Sequence, residues 1–430
     1  MNREMDAWNS LLKKIPLGHW ERTWKDNALA LCKWILFSVM IGIIVGVVGA
    51  CFHHAIDFVT ELRGEYPWLL FLLPAAGLLI VWSYHITGMA DDRGTEFVIK
   101  SVRDGKTLRI RTAPLIFIGT VLTHLCGGSS GREGAALQLG GSISSVIGRG
   151  MKLGDRDRRV ITMAGMAAGF SALFGTPVTA AVFAMELENV GVMYYAAIVP
   201  CILSALIAQL VAGKMGVTPT EFELLSIPEL GVMSLLRILV LGILCAVVSI
   251  LFCALMHLAP KFYGRLTKNP YIEVMIGGCL VVVLMLIFGS DYQGAGMDII
   301  NRAINGTARP EAFFIKILLT ALTLAAGFKG GEIVPALFAG STFGCVIGGL
   351  LGLPASFGAA AGMVSVFCGV TNCPLASILL SYELFGGEGV ALFSLAIAVS
   401  YMLSGYWSLY GAQRIVYSKT SVDVNETETH

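Results

Sequence analysis

"THLCGGSSGREGAALQLGG", residues 123–141, sets Arg132 and Glu133 among glycines in a chain dominated by long apolar runs such as 34–50, 68–83, 234–256 and 389–404. Those runs approach the length of a membrane span. Two adjacent charges at membrane depth are costly and point to function unless they only pair with each other. The glycines give a second clue, because they let a backbone approach a ligand with no Cβ in the way.

The composition fits lipid. Of 430 residues, 56% are hydrophobic and 14% charged, where a soluble domain carries about 25% charged. A transmembrane barrel would instead show alternating strands of roughly ten residues. The fold class is therefore an all-α polytopic membrane protein, multi-pass and expected in the inner or plasma membrane with the lipid bilayer as its surroundings. A net charge of +1 argues against nucleic acid as a main partner. The ten cysteines lie scattered through apolar segments without a CxxC pair, and the histidines lack metal-ligand spacing. No metal and no cofactor are expected. Residues 1–27 show no cleavable signal and predict an amphipathic or cytoplasmic helix at the membrane surface. The basic loops "RGMKLGDRDRR" (149–159) and "PKFYGRLTK" (260–268) belong in the cytoplasm, and "TPTEFELLSIPEL" (218–230), without Lys or Arg, outside.

The chain repeats itself. Shifted by 200 residues, 120–148 overlays 320–348 with 11 identities in 29 positions. At an offset of 197, "AGM" 164–166 recurs at 361–363, Pro177 matches Pro374, and Glu186-Leu187 matches Glu383-Leu384. Two membrane repeats follow, 28–212 and 232–411, joined by a loop at 213–231 and followed by a short polar tail at 412–430. "AALQLGGSISSVIG" and "VPALFAGSTFGCVIGG" look too short to span alone. Broken helices survive in lipid only where protein or an aqueous cavity satisfies their backbone. Duplication with matching interruptions, here Gly127–Gly134 and Gly327–Pro335, points to a transporter with its substrate at the repeat interface.

The chemistry follows from helix starts. A first turn leaves about four N–H groups without intrahelical partners, and the macrodipole adds roughly half a positive charge there. Glu133 is itself an anion at such a place, so it can occupy the substrate's seat and leave it when protonated. Burial opposes its charge and the dipole favours it, which makes it a candidate gate and proton carrier. The plainer alternative is a structural pair with Arg132. Glu332 is a second candidate titratable group, or a partner for Lys329. Glu186 and Glu383, each nine residues after a proline, suit satisfying backbone N–H groups. Tyr410 near the last apolar segment is by default an interface anchor.

These residues resemble the CLC family of chloride channels and anion/proton exchangers over about 28–411. "GREG" (131–134) is similar to the family's GREGP element, whose glutamate is the gate. "GGEIVP" (330–335) is similar to its GxFxP element, whose amides hold the anion. The resemblance implies a CLC-type inverted repeat with broken, tilted helices and a homodimer with one pathway per subunit. It also implies an anion site at Gly94, Thr95, Arg132, Glu332, Ile333, Val334 and Tyr410. Gating and proton transfer fall to Glu133 and Glu332. The cytoplasmic CBS pair of many relatives is not expected here.

Several positions depart from the family pattern. Its first anion-binding turn, GSGIP, corresponds to Arg93–Phe97, with Thr95 the only substitute for the serine. Ala135 replaces a proline and Ile333 a phenylalanine. Leu187 stands where exchangers carry an inner relay glutamate. These departures resemble the fluoride-exporting branch, although its Asn or Met in the first turn is absent. The expectation is an anion transporter, not an enzyme, that exchanges fluoride or chloride for protons, fluoride being favoured. The alternatives are a passive chloride channel of the same fold and an intramembrane serine protease using Ser130 in "GSSG".

Overall fold

The computed structural model describes residues 17–90, 94–103, 108–419 and 424–428. Sixteen α-helices follow one another among them. The first repeat holds α1 (Leu17–Glu65), α2 (Leu73–Ile86), α3 (Thr95–Arg103), α4 (Thr112–Leu125), α5 (Glu133–Gly150), α6 (Asp155–Phe174), α7 (Pro177–Glu186) and α8 (Ile198–Lys214). The second holds α9 (Val232–Leu266), α10 (Pro270–Phe288), α11 (Met297–Ile304), α12 (Ala312–Ala325), α13 (Ile333–Leu350), α14 (Ala355–Thr371), α15 (Pro374–Phe385) and α16 (Val390–Leu403). Six helices are long and apolar enough to cross a membrane, and six more are apolar but shorter. This is an all-α, multi-pass membrane protein.

The two halves agree in local detail. α5 and α13 both run 18 residues and begin one residue after the mated positions 132 and 332. They are longer than the apolar segments on which their interruption was predicted, because each continues through a glycine-rich last turn. α7 and α15 both open on proline, which has no N–H to lose in a first turn. α6 ends on Gly175 at φ +75° and α14 on Asn372 at φ +58°. These left-handed caps are equivalent at the 197-residue offset.

Glycine sets the closest helix contact in each half. A Cβ on Gly165 would lie 2.3 Å from the Gly140 carbonyl oxygen, and one on Gly362 would lie 2.3 Å from that of Gly340. α5 therefore packs backbone to backbone on α6, and α13 on α14, as small residues allow in lipid.

The halves also meet reciprocally. Glu186, ending α7, accepts the N–H groups of Leu375 and Ala376 at 3.2 and 2.9 Å. Glu383 in α15 accepts those of Val178 and Thr179 at 2.9 and 2.8 Å. The Thr323 hydroxyl accepts the Ser129 N–H, and the Thr123 hydroxyl the Lys329 N–H, each at 3.3 Å. Contacts in which i meets j′ and j meets i′ are the mark of a two-fold relation, here between repeats of one chain. The expectation that Glu186 and Glu383 satisfy backbone groups agrees with this geometry. Since each caps the first turn of the other's helix, Glu186→Gln and Glu383→Gln should each cost about 1–3 kcal/mol. Thermal unfolding in detergent should show similar losses for the two. A large loss for one and none for the other would contradict their equivalence.

Two boundary expectations change. Of the segment 1–27, residues 1–16 lie outside the described residues, while 17–27 continue without a break into α1. Residue 28 is therefore not a structural boundary. The segment from 412, expected as a polar tail, instead contains β2 (Arg414–Tyr417). It lies parallel to β1 (Asn189–Val190) and antiparallel to β3 (Val424–Glu428). Ile415, buried within "RIVY", supplies the apolar contact that a free tail would lack. The connection between α8 and α9 runs over 215–231.

Candidate functional site

The two predicted interruptions meet. Gly131 N–H donates to the Gly331 carbonyl and Gly331 N–H to that of Gly131, both at 2.7 Å. These residues are mates at the 200-residue offset, so the pseudo-two-fold relation passes through this bridge. Gly127 (φ +76°) and Gly327 (φ +106°) turn the chain out of α4 and α12 just before it. The starts of α5 and α13 are thereby held against each other, with the N–H groups of Ile333 and Val334 in a first turn.

Glu133 is the first residue of α5 and is buried. Its Oε2 accepts the Arg132 N–H at 3.0 Å, so the carboxylate folds back over its own helix start. The Arg132 Nε lies 3.6 Å from Glu133 Oε1. The same guanidinium donates to Asp57 at 2.9 Å, and Asp57 lies 3.0 Å from His53 Nε2. Arg132 is thus shared between two carboxylates. It lines a cavity of about 680 Å³ with His53, Asp57 and Arg63 that also reaches Thr218–Thr220. That loop lacks Lys and Arg, the composition expected of an outer loop, and the cavity is called the outer one on that ground.

Gly94 (φ +72°) leads into α3, whose first residue is Thr95, and Thr95 is buried. A Cβ on Gly134 would lie 3.0 Å from Glu332 Oε2 and 3.2 Å from Thr95 Oγ1. Glu332 and Thr95 therefore converge on the first turn of α5. Among the described residues Glu332 Oε2 is buried with no hydrogen-bond partner. Gln138 donates from Nε2 to Thr95 Oγ1 at 3.2 Å, and its Oε1 has no partner among the described residues either. Gln138 was not anticipated. Its signal was available, since it is a lone amide in an apolar helix, five residues after Glu133.

Tyr410 is buried and lies within electrostatic reach of Glu332. Its N–H donates to Ser408 Oγ at 3.1 Å, and the following Gln413 donates from its amide to the Leu187 and Thr371 carbonyls at 3.0 and 2.9 Å. It packs inside the protein, where an interface anchor would face headgroups. Lys329, weighed as a partner for Glu332, extends its ammonium over the Tyr84 ring at 4.1 Å.

The profile of the voltage gated chloride channel family matches residues 76–405. The chain belongs to the CLC family. A chloride/fluoride channel protein of Pseudomonas syringae pv. tomato is 34% identical over 90% of this chain and 88% of its own length. The H(+)/Cl(-) exchange transporter ClcA of Vibrio cholerae is 26% identical over 81% of each. Among solved structures, a CLC-type fluoride/proton antiporter superposes with a TM-score of 0.86 at 30% identity, covering 90% of this chain and 98% of the other.

Two positions bear on the rival readings. Leu187, where the resemblance leads us to expect the inner relay glutamate of exchangers, is buried and apolar, and the neighbouring Glu188 is held bidentately by Arg159. Ser130 Oγ has no hydrogen-bond partner among the described residues, and His257 is engaged by the Ser408 carbonyl at 2.8 Å. Nucleophilic catalysis needs a base within hydrogen-bond reach of the hydroxyl, so the protease reading lacks its base.

Asp57 gives a direct test of the shared guanidinium. In Asp57→Asn the Arg132 charge is left to Glu133 alone, which should hold the carboxylate more firmly over the α5 start. Anion flux should fall about three- to tenfold, the size of a partly exposed charge interaction near 1 kcal/mol. Flux from proteoliposomes checks this; unchanged or faster flux would contradict it.

Proposed function

We propose that this protein exchanges a small inorganic anion, fluoride or chloride, for protons across the plasma membrane. The observation that carries the reading is the Glu133 carboxylate lying over the start of α5, beside the bridge that joins the repeats. An anion reaching that place competes with the carboxylate. Protonation neutralises Glu133, frees the seat and loads the proton that moves in exchange. Gly94, Thr95, Ile333 and Val334 offer the backbone N–H groups and hydroxyl that would hold the anion, and Tyr410 would cap it from the inner side. Glu332, converging on the same turn, is a second proton acceptor beside the anion.

Fluoride is favoured. Its strong hydration demands close, strong donors, and a protonated carboxyl at Glu332 is such a donor. The likeness to a fluoride/proton antiporter supports the same choice. The assembly proposed is the homodimer with one pathway per subunit that the family resemblance implies.

A passive chloride channel is the second reading, and Leu187 favours it by removing the usual inner proton relay. Efflux from proteoliposomes, comparing fluoride with chloride while pH is recorded, separates the two. An outward anion gradient should drive protons uphill in the opposite direction. Anion efflux without proton movement would leave the channel.

A further inference from the structure

Lys316 in α12 is fully buried. Its ammonium donates to the carbonyls of Tyr292 and Gly294 at 3.0 and 2.6 Å and lies 5.2 Å from the centre of the Phe338 ring, on α13. Among the described residues no carboxylate comes within ion-pair distance of it. A buried charge without a counter-ion is expensive, and hydrogen bonds to carbonyls offset only part of that cost. Its mate at the 200-residue offset is Ile116, equally buried. The same slot in the other repeat is therefore filled by an apolar side chain, and the fold does not itself require a cation there.

Its position relates it to the anion path. Lys316, Thr320 and Thr323 share one face of α12, at i, i+4 and i+7. Thr320 Oγ1 lies 3.1 Å from Ser129 Oγ, and Thr323 accepts the Ser129 N–H at 3.3 Å. Ser129 is two residues before the Gly131 bridge. From another direction, Gly294, whose carbonyl Lys316 holds, donates its N–H to the Gly128 carbonyl at 3.1 Å. Gln293 and Gly296, either side of that residue, line the outer cavity. Lys316 thus stands behind the wall between the outer cavity and the helix starts. Glu133 and Glu332 place two carboxyl groups at those starts, and both would repel an entering anion when charged.

We propose that Lys316, in its charged form, draws the anion from the outer cavity to the helix starts, the transported ion supplying the counter-charge that the protein withholds. The proposal rests on the transport reading above. Buried away from water, its field is weakly screened over one to two helical turns. The inverted repeat puts Ile116 on the opposite side, so the attraction is one-sided.

The test compares Lys316→Gln, which keeps two N–H donors for the carbonyls and removes the charge, with Lys316→Arg, which keeps the charge, and Lys316→Met as a second neutral variant. Binding of fluoride and of chloride is measured by titration calorimetry in detergent, and uptake into proteoliposomes across external anion concentrations. Melting temperature without anion serves as the readout of structure. Lys316→Gln and Lys316→Met should raise the dissociation constant and apparent KM about tenfold, and Lys316→Arg should stay within about twofold of the native protein. The anion-free melting temperature of the glutamine variant should not fall. Native affinity in Lys316→Gln would overturn the proposal. So would equal losses in the glutamine and arginine variants, or neutral variants that do not fold while Lys316→Arg does, because the lysine would then be structural. If the native protein moves neither anion, the transport reading fails instead.

Discussion

Glu133→Gln should stop proton movement while anions still cross. Glutamine matches the carboxylate in shape, and its amide oxygen can accept the Arg132 N–H that Glu133 accepts at 3.0 Å. It carries no titratable proton and no charge with which to contest the seat at the α5 start. Proton flux should fall at least about a hundredfold, the scale of removing a side chain that transfers a proton. Anion flux should persist and lose the part of its pH dependence that Glu133 carries, leaving only what Glu332 contributes. Simultaneous anion-electrode and pH recordings from proteoliposomes read both quantities. Normal proton exchange in this variant would remove Glu133 as the gate. Loss of both fluxes with the fold intact would instead make Glu133 a structural partner of Arg132, the plainer role weighed from the sequence.

The repeat was legible because its evidence is local and repeated. Eleven identities at one offset placed Gly131 opposite Gly331 before any contact was known, and the two exchange backbone hydrogen bonds at 2.7 Å. The equivalence of Glu186 and Glu383 was legible in the same way, and so was the glycine turn ahead of each short helix. What escaped depends on side chains meeting across long separations. The clasp of Asp57 on Arg132 spans 75 residues, and nothing around Asp57 in α1 marks it. Gln138 on Thr95 spans 43, and its role depends on the start of α3, which follows residues 91–93 outside the described chain. Nothing in the sequence around Lys316 separates it from a lysine at the membrane interface; only its burial does. The strand at 414–417 was hidden by its surroundings. "RIVY" has strand-forming residues, but the charged sequence after it made the whole segment look like a solvated tail.

Gly331→Ala should abolish transport with only a modest loss of stability. A Cβ there would lie 2.6 Å from the Gly134 N, 3.1 Å from the Gly134 Cα and 3.4 Å from the Glu133 N. All three are backbone atoms of the opposing repeat, and none can swing aside as a side-chain tip would. The repeats must separate by several tenths of an ångström, which lengthens the Gly131–Gly331 bridge and moves the α5 and α13 starts apart. Overpacking of this kind costs about 1–3 kcal/mol, which a protein held together by two large repeats can absorb. Anion binding cannot absorb it so easily, since donors displaced from hydrogen-bond distance lose most of their strength. Anion flux should drop about a hundredfold or more, and the melting temperature by only a few degrees, on the scale expected for that cost. Gly349→Ala is the control. It lies near the end of α13, where a Cβ would meet nothing closer than 4.0 Å. It should transport normally and gain slightly in stability, as alanine does over glycine in a helix. If Gly331→Ala moves anions at the native rate, the facing helix starts are not the seat of the ion, whatever the fate of Glu133.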